Sequence, residues 1–513
     1  MLTPEQLAHC ADDVVALYSE LNEEIVRDIA RRVAKASDVT PTGRLQILAL
    51  QDVGMLTEDI LSTVSRYSGI SETLLHDLFE DVGIMSVEYD MAIYAKNGMK
   101  PLPLNLSPAA MQTLEAGYKK TNGNLRNLTG TTALTSQTKF INACTLAEMK
   151  AESGAFSPRQ AIVDAVKQLA KDGAVVRYPS GHEDKLDVAV RRNVMTGVGQ
   201  TTGEICLGYA RELGCDLMEL TAHAGARPSH AAWQGQLVSL SGKRGYLSLS
   251  DIGYGTGDGF KGWNCRHDWY PYFEGSARMY SAGELAKLDA KDVRFPDGSM
   301  HTLYEAEQYQ RACERKIRES KRILAAQNEF IVHTDSEPMK RAMQADFDKQ
   351  AVTLKRQEAQ LKSFCDQTGL RADSSRTQKY GFGRSEAQKA VWSNKKELAK
   401  YTKYLYNKDG TIVVTDDWKR LKKKTPQDYK PYAVIEHTEI KGGKTFVNRT
   451  LYDANGKMSV QIHSGNHANP KLHPYGKHGE HHHYYEWTNG QKHPNRTTGE
   501  LTTAERKEHA DIL

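Results

Sequence analysis

Residues 219–275 read ELTAHAGARPSHAAWQGQLVSLSGKRGYLSLSDIGYGTGDGFKGWNCRHDWYPYFEG. Glycine, aromatics, histidine, arginine and cysteine crowd this stretch, and the apolar spacing of a helix is absent from it. Short strands joined by defined loops are the expectation. On both sides the helical spacing returns. Upstream, Val14, Leu17, Leu21, Ile25 and Ile29 recur at helical intervals, and Thr3-Pro4-Glu5, Thr57 with Asp59, and Ser71-Glu72 read as helix starts. FSPRQAIVDAVKQLAKDG, with Ser157-Pro158 as N-cap and first turn, and KLDVAVRRNVMTGVGQTTGEICLGYARELG extend the helical reading. Between those two helices VVRYPSG reads as a short strand closed by a turn. The Gly-, Asn- and Thr-rich stretch Asn122–Thr138 reads as a loop.

Downstream, residues 281–370 carry alternating charge with a thin apolar stripe, which predicts long solvated helices in a stalk or hairpin. Residues 371–430 read as a linker. Within 384–430 there are 13 Lys/Arg against 6 acids, and the run Lys419–Lys424 (KRLKKK) is either a solvated face or a contact for RNA phosphates. Beyond it AVIEHTEI, KTFVNRTLYD and MSVQIH alternate as strands, with Gly442-Gly443 and Asn455-Gly456 as turns. A short helix opens at Thr502-Thr503-Ala504-Glu505. The fold class is therefore α+β and multidomain. It divides into a helical region 1–140, a small α+β domain 141–280, a charged helical segment 281–370, a basic linker 371–430 and a compact His-rich module 431–513.

Bulk properties agree with several soluble domains. A chain of 513 residues outgrows one core, and 39% apolar with 26% charged residues is ordinary for folded soluble material. No apolar run reaches membrane-spanning length, and the acidic N-terminus lacks the pattern of a secretory signal, so a cytoplasmic site of synthesis and use is expected. The 7 cysteines are widely spaced without a CxxC, which predicts reduced thiols. A net charge of +4 does not mark a nucleic-acid binder.

Two constellations carry chemistry. The first is His223, Arg227, His230 and Trp233 with Cys265, Arg266 and His267. His223, His230, Cys265 and His267 have the donor types of a zinc site, although the spacings H-x6-H and C-x-H match no familiar finger. The alternative is that these side chains hydrogen-bond the loops of a Gly-rich fold. AHAGARPSHAAWQG followed by GWNCRHDWYPYFEG resembles the Mu F-like head morphogenesis family of phage minor capsid proteins, over roughly residues 1–330. The resemblance implies a helical portal-docking region ahead of a small α+β domain. It also implies a virion head protein assembled in the bacterial host cytoplasm, with portal and major capsid proteins as partners and packaged DNA nearby. His267 stands where a second cysteine is commoner in that family.

The second constellation lies at the C-terminus, where ten of the 18 histidines fall at or after His437. HTEI, the strand ending Gln461-Ile462-His463, HPYGKHGEHHHYYEW and Arg496-Thr497-Thr498 resemble the polymorphic toxin type 50 family, grouped with the Barnase, EndoU, colicin and RelE-type ribonucleases. That resemblance implies metal-independent RNA cleavage. Histidine titrates near neutrality and serves as base or acid, while a cation steadies charge on phosphorus. His463 with His478 or His481 are the expected acid/base pair, and Lys477 and Arg496 the electrostatic partners. No cofactor is needed. Two alternatives stand beside this: zinc bound by His473, His478, His481 and His483, or histidines that only satisfy the turns of an inactive module in a purely structural virion protein.

Overall fold

Thr3 opens the first helix, α1 (Pro4–His9). Its hydroxyl accepts the Gln6 amide while the Gln6 side chain accepts the Thr3 amide, so two donors without helical partners are satisfied together. The computed structural model describes residues 1–37, 44–401, 404–417, 425–453, 455–487 and 493–513. It contains two compact units, Met1–Val391 and Trp392–Leu513. The fold is α+β, with helices dominating the first unit and an antiparallel sheet the second.

In the first unit α2 (Asp12–Ser37), α3 (Arg44–Lys96), α4 (Pro108–Glu152) and α5 (Pro158–Asp172) precede a hairpin of β1 (Val175–Arg177) and β2 (Glu183–Lys185). The central helix α6 (Leu186–Glu212) follows. After it, β3 (Leu217–Leu220), the single turn α7 (Pro228–Ala231), β4 (Leu237–Ser239) and β5 (Trp269–Tyr272) build a three-stranded antiparallel sheet with β3 in the middle. Next come α8 (Ala282–Leu288), a small hairpin of β6 (Val293–Arg294) and β7 (Met300–His301), and the long helices α9 (Leu303–His333) and α10 (Glu337–Thr368). The helix α11 (Arg384–Tyr401) carries the boundary between the units.

Three expectations are corrected here. Asn122–Thr138 is not a loop but the middle of α4. Thr121, Thr129, Thr132 and Thr135 are buried, and Thr129 and Thr135 return their hydroxyls to the carbonyls of Leu125 and Thr131, so burial leaves neither unsatisfied. Small residues let α4 and α6 approach closely. A Cβ on Gly117 would lie 2.0 Å from the Thr201 hydroxyl, and one on Gly197 would lie 2.1 Å from that of Thr121. Thr57 and Ser71 start no helix, since α3 runs through both. The charged helices are not a solvated stalk. α9 and α10 pair antiparallel, with the Ser320 hydroxyl 2.7 Å from Gln357 and Gln327 reaching Asp346 at 2.7 Å. They bury Ile317, Leu324, Phe330, Phe347 and Leu354, and α9 also packs on α2 and α5.

The second unit is a six-stranded sheet ordered β13-β12-β11-β10-β9-β8. Its strands are β8 (Asp416–Asp417), β9 (Val434–Lys441), β10 (Lys444–Tyr452), β11 (Met458–His463), β12 (His481–Glu486) and β13 (Asn495–Glu500), and α12 (Thr503–Glu508) follows. All neighbours are antiparallel except β8 on β9. Ile412, Val434, Leu451, Ile462 and Leu501 form one core cluster and Ala433, Ile435, Tyr452 and Met458 another. Arg449 is fully buried and grips Asp511 through Nη1 at 3.0 Å and Nη2 at 2.7 Å, tying the chain end to β10. The basic run Lys419–Lys424 lies outside the described residues.

Valine at Gly197 should overpack the α4–α6 seam and lower stability by about 1–3 kcal/mol. Alanine at Gly123, where a Cβ meets nothing within 4 Å, should raise it by up to about 1 kcal/mol. Thermal unfolding of the two variants reads both; equal shifts would refute the seam.

Candidate functional site

The loop before β5 is built on glycine. A Cβ on Gly259 would sit 2.1 Å from the Gly253 carbonyl oxygen, and one on Gly262 would sit 2.4 Å from that of Gly257. Lys261 and Asn264 hold φ of 60° and 53°, an uncommon conformation for side-chain-bearing residues. What holds them is a buried polar hub. The Lys261 side chain runs across Gly203 of α6 and ends 2.5 Å from Asp268 Oδ1. Asp268 Oδ2 accepts the Leu2 amide at 2.7 Å, and its backbone pairs with Thr221 in both directions.

Between Lys261 and Asp268 the chain delivers Cys265 and His267 to meet His230 from α7. Cys265 Sγ lies 3.9 Å from His230 Nδ1 and 3.7 Å from His267 Nδ1, and the two Nδ1 atoms are 3.3 Å apart. All three residues are buried. Trp233 packs on both rings, with centroids 4.5 Å and 4.8 Å away. Burial holds His230 down to about 4 and His267 well below the ordinary imidazole range, and it raises the Cys265 thiol.

The other first-constellation residues surround this trio. Arg227 Nη2 donates to the Trp263 carbonyl at 2.5 Å and Arg266 Nη2 to the Gly225 carbonyl at 3.2 Å, so each segment clasps the other. His223 is not a member of the converging trio. Its Nδ1 lies 2.8 Å from the Ala224 carbonyl and its ring stacks on His267 with centroids 4.5 Å apart. Sequence reading missed the orienting groups, Gln234 and the Asp258 carbonyl. No spacing rule announces an acceptor on a loop.

In the second unit the strand period sorts the histidines. His463 on β11 pairs with His481 on β12; His483 shares their face, and His482 points the opposite way to Glu505. The rings of His463 and His481 stack with centroids 4.8 Å apart, and His483 lies 4.7 Å from His463. The loop 464–480 brings back His467, 4.6 Å from His463, and His473, stacked 4.2 Å from His481. His467 and Ala468 sit at φ of 51° and 61° where that loop reverses. Glu439 holds His467 Nδ1 at 3.0 Å, the Gly479 carbonyl holds His481 Nδ1 at 2.8 Å, and the Thr498 hydroxyl holds His483 Nδ1 at 2.7 Å. Burial, and then the neighbouring imidazoles, lower His463 well below its ordinary range, His481 to about 4 and His483 to about 3.

Of the residues expected to act there, His463 and His481 meet, and the Arg496 charge adds to burial in lowering His473, and to burial and the His481 imidazole in lowering His483. Lys477 and His478 are exposed on the preceding turn, where their backbone amides donate to Glu480. Glu480 in turn accepts from Arg506 at 2.7 Å. His467 and its carboxylate Glu439 are the members that sequence spacing did not rank. The group offers imidazole bases beside a cation, or nitrogen donors for a metal. His463, His481 and His483 alone place three donor atoms within 4.8 Å of one another.

A family model described as phage minor capsid protein 2 matches residues 2–366, which hold the Cys265 trio and end before the second unit. A structural protein of Lactococcus phage LL-H is 27% identical over 247 residues, 45% of this chain and 66% of that relative. No solved structure matches. Among the described residues no helix is long and apolar enough to cross a membrane.

The buried imidazoles set a direction for pH. The folded values of His463, His481 and His483 lie below the ordinary 6.5, so on acidification the unfolded chain takes up protons first and unfolding is favoured. Stability of the second unit should hold above pH 6.5 and fall as pH drops toward the values of about 4 for His481 and about 3 for His483. Urea unfolding followed across pH 4–7 reads this, and a flat profile would contradict neutral burial.

Proposed function

The chain belongs to the phage minor capsid protein 2 family, and from that premise we propose that it docks at the portal vertex of a tailed phage head through its first unit. It is a phage structural protein. The proposal adds the Mu F-like role in head assembly, in the host cytoplasm, next to portal, major capsid protein and packaged DNA. The observation that supports docking is a groove of about 1010 Å3 between α4, α5 and β1. Leu128, Leu134, Leu146, Leu169 and Tyr178 line it, with Lys139, Asp172, Arg177 and Glu183 among the polar lining residues. Leu134 and Leu146 are 65% and 47% exposed despite lying on a well-packed helix. An apolar floor bordered by charge is the pattern of a protein interface, and a portal helix is the occupant we assign.

A second reading concerns the C-terminal unit: RNA cleavage by histidine acid/base chemistry. What supports it is Arg496 beside the imidazole face, where a cation can steady the phosphorane. One imidazole takes the 2′-hydroxyl proton as that oxygen attacks phosphorus, and a second gives a proton to the departing 5′-oxygen. His473, half-buried at the rim, is better placed for proton exchange than His463 or His481 in the interior. The competing reading is a head protein whose histidine group carries no activity.

Two experiments separate these. Leu134→Glu with Leu146→Glu should abolish co-assembly with the portal of the same phage while moving stability by less than about 1 kcal/mol, as expected for exposed sites. Wild-type incorporation in that variant would sink the groove assignment, and no association of the wild type would sink portal docking. Total bacterial RNA incubated with the full chain should be cut with or without EDTA, and His473→Ala should slow cutting at least tenfold. No cutting under either condition would leave the structural role alone.

A further inference from the structure

His230, Cys265 and His267 present three electron-pair donors to one point, and their outer contacts fix where the protons are. His230 Nε2 lies 2.8 Å from the Asp258 carbonyl oxygen, which only accepts, so the ring carries its proton on Nε2. His267 Nε2 lies 3.3 Å from Gln234 Oε1. That amide cannot be turned round. Its Oε1 accepts the His223 backbone N–H at 3.1 Å, and its Nε2 reaches Asp289 Oδ2 at 3.5 Å. His267 is therefore protonated on Nε2 as well.

Both Nδ1 atoms then face each other as bare lone pairs, 3.3 Å apart. The Cys265 thiol carries one hydrogen and can serve one of them. A metal-free trio leaves the other lone pair facing a like pole among side chains exposed by only 2%, 4% and 1%. A cation at the centre removes the conflict. In a zinc tetrahedron with Zn–N near 2.0–2.1 Å and Zn–S near 2.3 Å, the N–N edge is about 3.3 Å and the N–S edges about 3.6 Å. The separations here are 3.3, 3.7 and 3.9 Å.

The geometry points to a zinc site formed by His230 Nδ1, His267 Nδ1 and the Cys265 thiolate. Binding sends the thiol proton to solvent, and a solvent oxygen fills the fourth position. The Asp258 carbonyl and Gln234 act as the outer acceptors that ligating imidazoles require for tautomer and orientation. Thiolate with imidazole selects zinc over calcium or magnesium. The site would staple α7 to the Gly-rich loop, independently of what either unit binds.

The test uses the full chain, stripped of metal and then titrated with Co2+. One equivalent should give tetrahedral visible bands together with a near-ultraviolet thiolate-to-cobalt band, and Zn2+ should bleach both. The imidazole group of the second unit contains no thiol, so that band reports the Cys265 site separately. Cys265→Ser should lose the band and one zinc per chain by elemental analysis, whereas His463→Ala should retain the band. Absence of a thiolate band in wild type, or its survival in Cys265→Ser, would overturn the assignment. The wild-type spectrum decides the matter even where a variant fails to fold.

Discussion

Asp268 is a carboxylate fully sheltered from water, and the first unit is arranged around satisfying it. Its two oxygens take the Lys261 ammonium, the Leu2 amide and its own following amide at Trp269. A buried ion pair of this kind adds little net stability, but leaving either charge alone would cost about 3–5 kcal/mol. The chain can therefore place Lys261 in few ways. It crosses α6 at a glycine, accepts a left-handed backbone and leaves Cys265 and His267 where α7 brings His230. Local strain at Lys261 and Asn264 is sustained by a polar network several elements wide.

The same economy of buried charge recurs through the helices. Glu23 and Lys379 pair at zero exposure, 3.0 Å apart, and pin the segment before α11 to α2. Arg322 of α9 donates to the Ala170 and Lys171 carbonyls at the end of α5, serving acceptors that a helix terminus leaves unpaired. These contacts explain how helices with such charged sequences pack in the interior. Their charges are spent on neighbouring helix ends and opposite charges, and only part of each helix faces solvent.

In the second unit the constraint is the strand period. Alternation places His463, His481 and His483 on one face and sends His482 to Glu505 on the other. Around His463, whose two ring nitrogens have no hydrogen-bond partner among the described residues, His467, His481 and His483 each have one ring nitrogen fixed, by a carboxylate, a carbonyl and a hydroxyl in turn. Arg449, buried between Glu436 and Asp511, secures the C-terminal residues against the opposite side of the same sheet.

By itself the sequence determined the α+β class, the strands β9, β10 and β11 of the second unit and the residue types gathered in the two constellations. Periodicity and residue type are local properties, and they survive in the folded chain. Tertiary structure alone decided that Asn122–Thr138 is helical, because Gly117 and Gly197 matter only once α4 meets α6. It decided that α9 and α10 belong to the core, because their charges find partners far away in sequence. It also decided which histidines converge. His223 and His478 carry the same ring as His230 and His463, yet one turns to its own backbone and the other to solvent. Donor chemistry is written in the residue, but the direction of a lone pair is set by the acceptor behind it, and that acceptor comes from elsewhere in the fold.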